Sequence, residues 1–413
     1  MARKMKDSGI EWIGEIPEGW EVTRLKYLAD FEPTCDTSYL TDESEITYTP
    51  MECVKNGDFE NRSALYGNLS HTLTPFQNGD IAMAKVTPCF ENGNIAIMNN
   101  LFSGFGLGSS ELFIFRPKSI FTRYLFYWLQ NKAFVARACS TMTGTGGLKR
   151  ISPSFIRNCP VHCPSMDEQT KISDYLKAKC SEIDTMLSKT RSSIEEYKKL
   201  KQAVITQAVT TLNCPNVKLK YLMDIIVDCP HETPIYTFTG NYLVIRTSDQ
   251  SLASLRCDEY MYRLDEAEYK KRTRRLTLDK DDIVYGREGS WGLACLVPQS
   301  NKYCLGQRVM QFRCNTRLLY PKYAMYALNS ETVYMQGALD TIGSTAPHVN
   351  ISTICNYLLP VPALNEQKEI TNYLDAKCAE IDKLIAKKEQ LVKELESYKK
   401  SLIYEVVTGK REV

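Results

Sequence analysis

A chain of 413 residues with 43% hydrophobic residues is too long for one core and suits two globular domains joined by helical connections. No apolar run approaches the roughly 20 residues of a membrane span, and the first residues lack the apolar centre of a signal peptide, so a cytoplasmic protein with no membrane partner is expected. A formal net charge of +2 neither announces nor excludes a nucleic-acid partner, since recognition depends on where the cations cluster.

Residues 11–28 bring Trp12, Ile13, Ile16 and Trp20 together as an apolar lead-in to a first domain. Its tail, Leu25-Lys-Tyr-Leu28 followed by Asp30, returns as Leu219-Lys-Tyr-Leu222 followed by Asp224. Gly79-Asp80-Ile81 reads as a polar turn feeding a buried strand that ends on Lys85, and Leu107-Gly-Ser-Ser110 leads into a strand-like run over 111–115. A short helix from Tyr124 and a glycine-rich loop, Thr143-Gly-Thr-Gly-Gly-Leu-Lys-Arg150, follow. The fifteen cysteines, an odd number, read as reduced core residues. Cys159 and Cys163 with His162 between them lack a second ligand pair, so no metal is expected.

Residues 167–211 then read as one unbroken helix, and 365–409 repeat it. Glu168-Gln169 falls on Glu366-Gln367, an offset of 198 that holds without a gap to Val209-Thr210 and Val407-Thr408. Each copy carries an apolar row with alternating four- and three-residue spacing, as a coiled-coil seam requires. The first row is Leu176, Cys180, Ile183, Leu187, Thr190, Ile194, Tyr197, Lys201, Val204 and Ala208; the second is Leu374, Cys378, Ile381, Ile385, Lys388, Val392, Leu395, Lys399, Leu402 and Val406. Both are interrupted at the same places, Thr190/Lys388 and Lys201/Lys399, where polar seam residues fix register. Unrelated surface helices have no reason to share length and interruptions, so a paired rod of about 65 Å is expected, with parallel and antiparallel pairing both open. Asp167 and Asn365 are the expected N-caps, and Gly409 is an expected terminator. Ile172, Tyr175, Tyr373 and Tyr404 are expected on the outer rod faces.

Between the rods, Asp281-Asp282-Ile283 ending on Arg287 matches the first polar turn, and Leu305-Gly-Gln-Arg308 matches the first Leu-Gly element. A second short helix begins at Tyr323, and the loop Ile342-Gly-Ser-Thr-Ala-Pro-His-Val-Asn350 precedes the second rod. The expected fold is mixed α/β with a pseudo-two-fold internal repeat: domains at 1–163 and 214–361, long helices at 164–213 and 362–413. The helices match closely while the domains differ, which suggests like frames carrying unlike faces.

These residues resemble the specificity subunit of Type I restriction-modification enzymes. Trp12-Ile-Gly-Glu-Ile-Pro-Glu-Gly-Trp20, Pro164-x-x-x-Glu168-Gln169-x-x-Ile172, Pro362-x-x-x-Glu366-Gln367-x-x-Ile370 and the doubled polar turn carry the resemblance, which covers essentially the whole chain. It implies two target recognition domains, each reading one half of a split, asymmetric double-stranded DNA sequence, with an antiparallel helix pair setting the gap. It further implies docking of two modification subunits that methylate adenine with S-adenosylmethionine, then of restriction subunits using ATP and Mg²⁺, in defence against foreign DNA. The specificity chain itself would carry no catalysis and no cofactor. Ala346-Pro347 and the Gly144-x-Gly146-Gly147 loop depart from the family's usual pattern.

DNA binding needs cations for phosphates and amide or guanidinium groups for base edges. Lys270, Lys271, Arg272, Arg274 and Arg275 form the densest basic run, readable as phosphate contacts or as a solvated helix end. Lys85 and Arg287 share a repeat position, and Arg308 closes the second Leu-Gly element. Lys149, Arg150, His348 and Asn350 lie on loops beside the rods, where solvated charges are the rule. Asn92 and Asn94 could read adenine, although Glu91-Asn-Gly-Asn94 is first of all a turn. Phe102-Ser-Gly104-Phe-Gly106 matches a methyltransferase cofactor motif, but a strand follows where a helix is needed and no Asn-Pro-Pro-aromatic run accompanies it. There is no phosphate-binding Gly-x-x-x-x-Gly-Lys-Ser/Thr loop, and four histidines lie near no nucleophile motif. Beside a non-catalytic DNA reader, the sequence leaves a coiled-coil adaptor joining two protein-binding domains, and a self-contained adenine methyltransferase.

Overall fold

The computed structural model describes residues 3–413 apart from 56, 71, 146, 212, 257, 290 and 341–347. Gly146 and the 342–347 part of the second glycine-rich loop, with Ala346-Pro347, therefore lie outside the described residues. The chain divides into two compact units, residues 1–189 with 391–413, and residues 190–390.

Each unit is built on the same pair of sheets. In the first, Ala29–Phe31, Leu112–Pro117, Ile81–Ala84 and Ile95–Ile97 form one antiparallel sheet. Glu45–Thr49 and Phe105–Gly108 run parallel in the other, flanked by Arg62–Leu65 and Thr74–Gln77. In the second unit, Met223–Asp228, Val309–Cys314, Ile283–Gly286 and Ala294–Leu296 repeat the antiparallel sheet. Tyr242–Ile245 and Tyr303–Leu305 repeat the parallel pair, beside Arg263–Leu264. The doubled polar turn has a structural task in both. The buried Asp80 carboxylate accepts the Gln77 amide and pairs with Arg116 through two bonds of 2.8 Å. Asp282, equally buried, accepts the Asp279 amide and takes two 2.8 Å bonds from Arg313. Each aspartate thus closes a turn and meets a guanidinium from the neighbouring strand, which offsets the cost of burying its charge.

The long helices are Met166–Thr210 and Leu364–Val407. They begin before the expected caps. Ser165 accepts the Glu168 amide in the first, placing Asp167 inside the first turn, and Ala363 precedes the second, so Asn365 is not its cap. Gly409, at φ +70°, follows the second helix, and a Cβ there would stand 2.3 Å from Pro17. The glutamine of each Glu-Gln pair fastens the rod to its domain. Gln169 is buried, accepting the Phe121 amide at 2.8 Å and donating to the Pro164 carbonyl at 2.9 Å. Gln367 accepts the Tyr320 amide at 2.7 Å and donates to the carbonyls of Leu318 and Pro362. Only a side chain with both a donor and an acceptor satisfies these groups, and a glutamate would lose the donating half.

Within each unit the helices pair antiparallel. In the first, Leu176, Ile183 and Leu187 share a core with Leu402 and Val406, with Val392 and Leu395 packed against it, and Asp184 accepts from Lys399 at 2.7 Å. In the second, Ile205 and Val209 share a core with Leu374 and Cys378, and Lys201 donates to Asp382 at 2.8 Å. Ile194 and Ile381 are buried, and Ile385 is half-buried. The two ion pairs are images of one another under the 198-residue offset, so at the Lys201/Lys399 break of the expected seam each lysine meets a carboxylate of the opposite helix. Lys388, at the other break, lies 5.7 Å from the Tyr197 ring centroid. Val204 and Ala208 are half-buried while Ile205 and Val209 are fully buried, because the apolar face widens where the helix meets its domain. Ile172, expected on the outside, is buried in the first core; Tyr175 and Tyr404 are half-buried, and Tyr373 is exposed.

His162 sits at the first unit's helix junction. Its ring stacks on Trp20 at 5.6 Å, its Nδ1 accepts from Trp128 Nε1 at 3.4 Å, and its Nε2 donates to the Val407 carbonyl. Both ring nitrogens are thus turned to protein groups. Burial pushes the imidazole down to about 4.

Asp382→Ala strands the Lys201 ammonium in the seam and is expected to cost about 1–3 kcal/mol. Lys201→Met replaces the charge by an apolar side chain and should leave the melting temperature unchanged or raised; equal losses from the two would contradict the pairing. For His162, the folded state resists the proton that the unfolded chain accepts near pH 6.5, so stability is lost as pH falls from 6.5 toward 4. That loss is about 3 kcal/mol. Melting curves across this range should therefore show the advantage of wild type over His162→Gln shrinking with acid, whereas parallel curves would contradict it.

Candidate nucleic-acid interface

In the first unit, backbone pairing brings one group of candidates together. Lys85 leaves the buried strand Ile81–Ala84, donates its amide to Glu111 and accepts from the Ile151 amide, while its ammonium lies 5.4 Å from the Phe113 ring centroid. Arg150 bridges Val86, and its guanidinium grips Glu111 with bonds of 2.9 and 2.7 Å. Those bonds hold the Glu111 carboxyl below the usual glutamate range. Thr87 Oγ accepts the Lys149 amide and donates to the Gly147 carbonyl, pinning the glycine-rich loop and leaving Lys149 exposed. Asn92 and Asn94 flank Gly93, at φ +76°, in the turn that starts just beyond Lys85. Lys85, Lys149, Arg150 and this turn thus share one edge of the domain.

The second unit repeats the backbone arrangement with other side chains. Arg287 donates its amide to Arg308 and accepts from Val349, and Glu288 bridges His348. By these bonds Arg150 corresponds to His348 and Glu111 to Arg308. Arg287 is buried, its guanidinium 3.3 Å from Asp228 and 2.6 Å from Glu288, whereas Arg308 is exposed. Asn350 precedes the helix Ile351–Cys355, with its carbonyl accepting the Thr353 and Ile354 amides.

The basic run divides by function. Lys270 pairs with Glu266 and Lys271 with Glu232, both on the surface, and Arg274 and Arg275 are exposed. Arg272 is a correction to the expected phosphate contacts. It is buried, and its guanidinium donates to the carbonyls of Leu305, Glu232, Pro230 and Gly306, bracing the loop at 230–232 against the strand Tyr303–Leu305. Spacing along the helix placed it beside solvent-facing lysines but could not show that it lies on the inward face.

Sequence reasoning missed another cluster in this unit. Arg246 lies 3.9 Å from the Tyr262 ring centroid, and Tyr262 packs on Tyr236 at 4.5 Å. The buried Asp249 binds Arg246 through two bonds of 2.8 Å and stands 3.9 Å from Arg256, which lies over Tyr260. Tyr260-Met-Tyr262-Arg263 was the available signal, but its partners come from distant strands. The Phe102-Ser-Gly104-Phe-Gly106 motif forms a 3-10 turn followed by the strand Phe105–Gly108. Gly106 is needed there because a Cβ would stand 2.3 Å from the Phe76 ring on the adjacent strand. Its glycine serves strand packing, not a strand-to-helix turn.

No helix among the described residues is long and apolar enough to cross a membrane. A family model described as the Type I restriction modification DNA specificity domain matches residues 17–196 and again 228–394. The chain is 34% identical over 196 residues to the specificity subunit of the Type I restriction enzyme EcoAI of Escherichia coli, a match covering 46% of this chain and 33% of that protein. The chain thus spans about a third of the length of that relative. It is 22% identical to the MjaVIII specificity subunit of Methanocaldococcus jannaschii, over 96% of this chain and 93% of that one. A solved chain studied for complex assembly and conformational transition of the type I R-M system superposes with a TM-score of 0.72 at 16% identity, covering 96% of this chain and 99% of that one, a likeness of fold. The doubled frame and the doubled match coincide, and the chain belongs to the family of Type I restriction-modification DNA specificity subunits.

Proposed function

We propose that the two domains, residues 1–163 and 214–361, each read one half of a split, asymmetric sequence in double-stranded DNA. The paired helices, residues 164–213 and 362–413, set the unread gap between the halves and dock two modification subunits. Adenine methylation with S-adenosylmethionine belongs to those subunits, and ATP- and Mg²⁺-dependent work to restriction subunits that join them. This chain supplies recognition and scaffold and no catalytic group.

One observation carries this reading. The same frame occurs twice, down to its internal bonds, while the side chains at its matched strand ends differ. Asp80–Arg116 returns as Asp282–Arg313, Gln169 as Gln367, and Asp184–Lys399 as Asp382–Lys201. At the matched strand ends, by contrast, Lys85, Glu111 and Arg150 stand where the second unit has Arg287, Arg308 and His348. Retained support with altered faces suits two readers of two different sequences. Seam ion pairs that fix helix register suit a spacer of set length.

Inserting one whole helical turn into either long helix should lengthen the unread gap and leave both half-sequences as they were. Mapping methylated adenines in cells carrying the inserted chain with its partner subunits checks this. Changed bases within a half-site would contradict it.

A further inference from the structure

The cluster around Arg246 is absorbed neither by the core nor by the loops beside the rods. We propose that Arg246 reads a guanine in the half-site of the second domain and that Asp249 positions it; this rests on the DNA-reading function proposed above. Asp249 occupies the Nε hydrogen and one Nη2 hydrogen of Arg246, at 2.8 Å each. Asp249 leaves both Nη1 hydrogens and the second Nη2 hydrogen, with the Tyr262 side chain as a further polar neighbour; they form an end-on fork that fits the O6 and N7 acceptors of guanine in the major groove. The Tyr262 ring fixes the plane of the guanidinium from the side, 3.9 Å away. An arginine held at its base by a buried carboxylate and on its face by an aromatic ring loses little freedom on binding.

The surroundings match a polyanion. Arg256 stands beside the same carboxylate with its side chain 48% exposed, and the neighbouring acid Asp258 is turned to Lys302 and Tyr303. Tyr236, Tyr260 and Tyr262 are exposed, and Phe238 is wholly so, on the segment that pairs with Arg263. Guanidinium groups interleaved with exposed aromatic rings offer charge for phosphates and flat faces for bases and sugars.

The first domain supplies an internal comparison. In each unit a parallel strand gives way to a 3-10 turn, Met51–Cys53 or Thr247–Asp249, and a tight hairpin. The hairpin closes on the last residue of that turn, through the Glu60 amide to the Cys53 carbonyl and the Arg256 amide to the Asp249 carbonyl. The residue before the turn is Pro50 in one unit and Arg246 in the other. Where the second unit has Arg246, Asp249 and Arg256, the first has Pro50, Cys53 and Glu60, with Glu60 bonded twice to Arg62. The same turn-and-hairpin element carrying groups of different charge marks a position where two readers differ.

The test uses the full chain assembled with its partner subunits in cells free of other adenine methylation, and maps methylated adenines. Arg246→Ala should relax one guanine position in one half-site by about ten- to a hundredfold and leave the other half-site unchanged. Arg246→Lys should relax the same position, because an ammonium offers no fork. A two-part sequence unmoved by Arg246→Ala would overturn the assignment of Arg246 alone, as would both halves degrading together. Should Arg246→Ala abolish methylation altogether, Arg246→Lys decides: relaxation at one guanine supports the assignment and a wild-type sequence overturns it. A wild-type chain with no two separated halves in its methylated sequence would overturn the underlying reading, and this one with it.

Discussion

A lysine ammonium drawn into a coiled-coil seam is offset best where a carboxylate meets it, and here that happens twice. Lys201 meets Asp382 and Lys399 meets Asp184, at positions equivalent under the repeat. Shifting either helix by one heptad would bury an ammonium against apolar neighbours, at a cost of several kcal/mol after relaxation. An apolar seam alone would tolerate such a slip far better, since leucines and isoleucines pack against one another in many registers. The ion pairs therefore add little to net stability and much to specificity of alignment. Any function that requires a set interval along these helices depends on them.

The same economy runs through the domains. Asp80 and Asp282 are buried carboxylates whose arginine partners come from the next strand, so each turn is fixed to its sheet by charge as well as by backbone bonds. Gln169 and Gln367 fix the first turn of each long helix to the segment before a short helix of the domain, with donor and acceptor both used. These bonds involve few residues and face inward. The outer edges of the sheets are consequently free to carry Lys85 and Arg150 in one unit and Arg308, His348 and the Arg246 cluster in the other.

The repeat, the long helices and the mixed α/β class were legible in the sequence because a gapless offset, a four-three row and matched polar interruptions are all local signals. The cap positions were not. Ser165 lies before the acidic residue that looked like a cap, and choosing between Ser165 and Asp167 depends on a backbone geometry that the pattern does not contain. Arg272 was misassigned because a run of five cations within six residues gives no sign of which side chain turns inward to the strand Tyr303–Leu305. Ile172 was placed outside for the same reason, since the domain's own core reaches around the start of the helix. The Arg246 cluster escaped notice because its members lie at 236, 246, 249, 256, 260 and 262, and Arg246 meets Tyr262, and Tyr262 meets Tyr236, only across segments distant in the chain. Chemistry assembled across a sheet has no period to read.

The central claim is that two like frames carry unlike faces onto one duplex at a set interval. Long-read mapping of methylated adenines in a cell that carries the unaltered chain with its partner subunits tests it most directly. The account predicts one sequence made of two different halves, separated by a constant number of unspecified bases. A single contiguous sequence, two identical halves, or a gap that varies from site to site would contradict it.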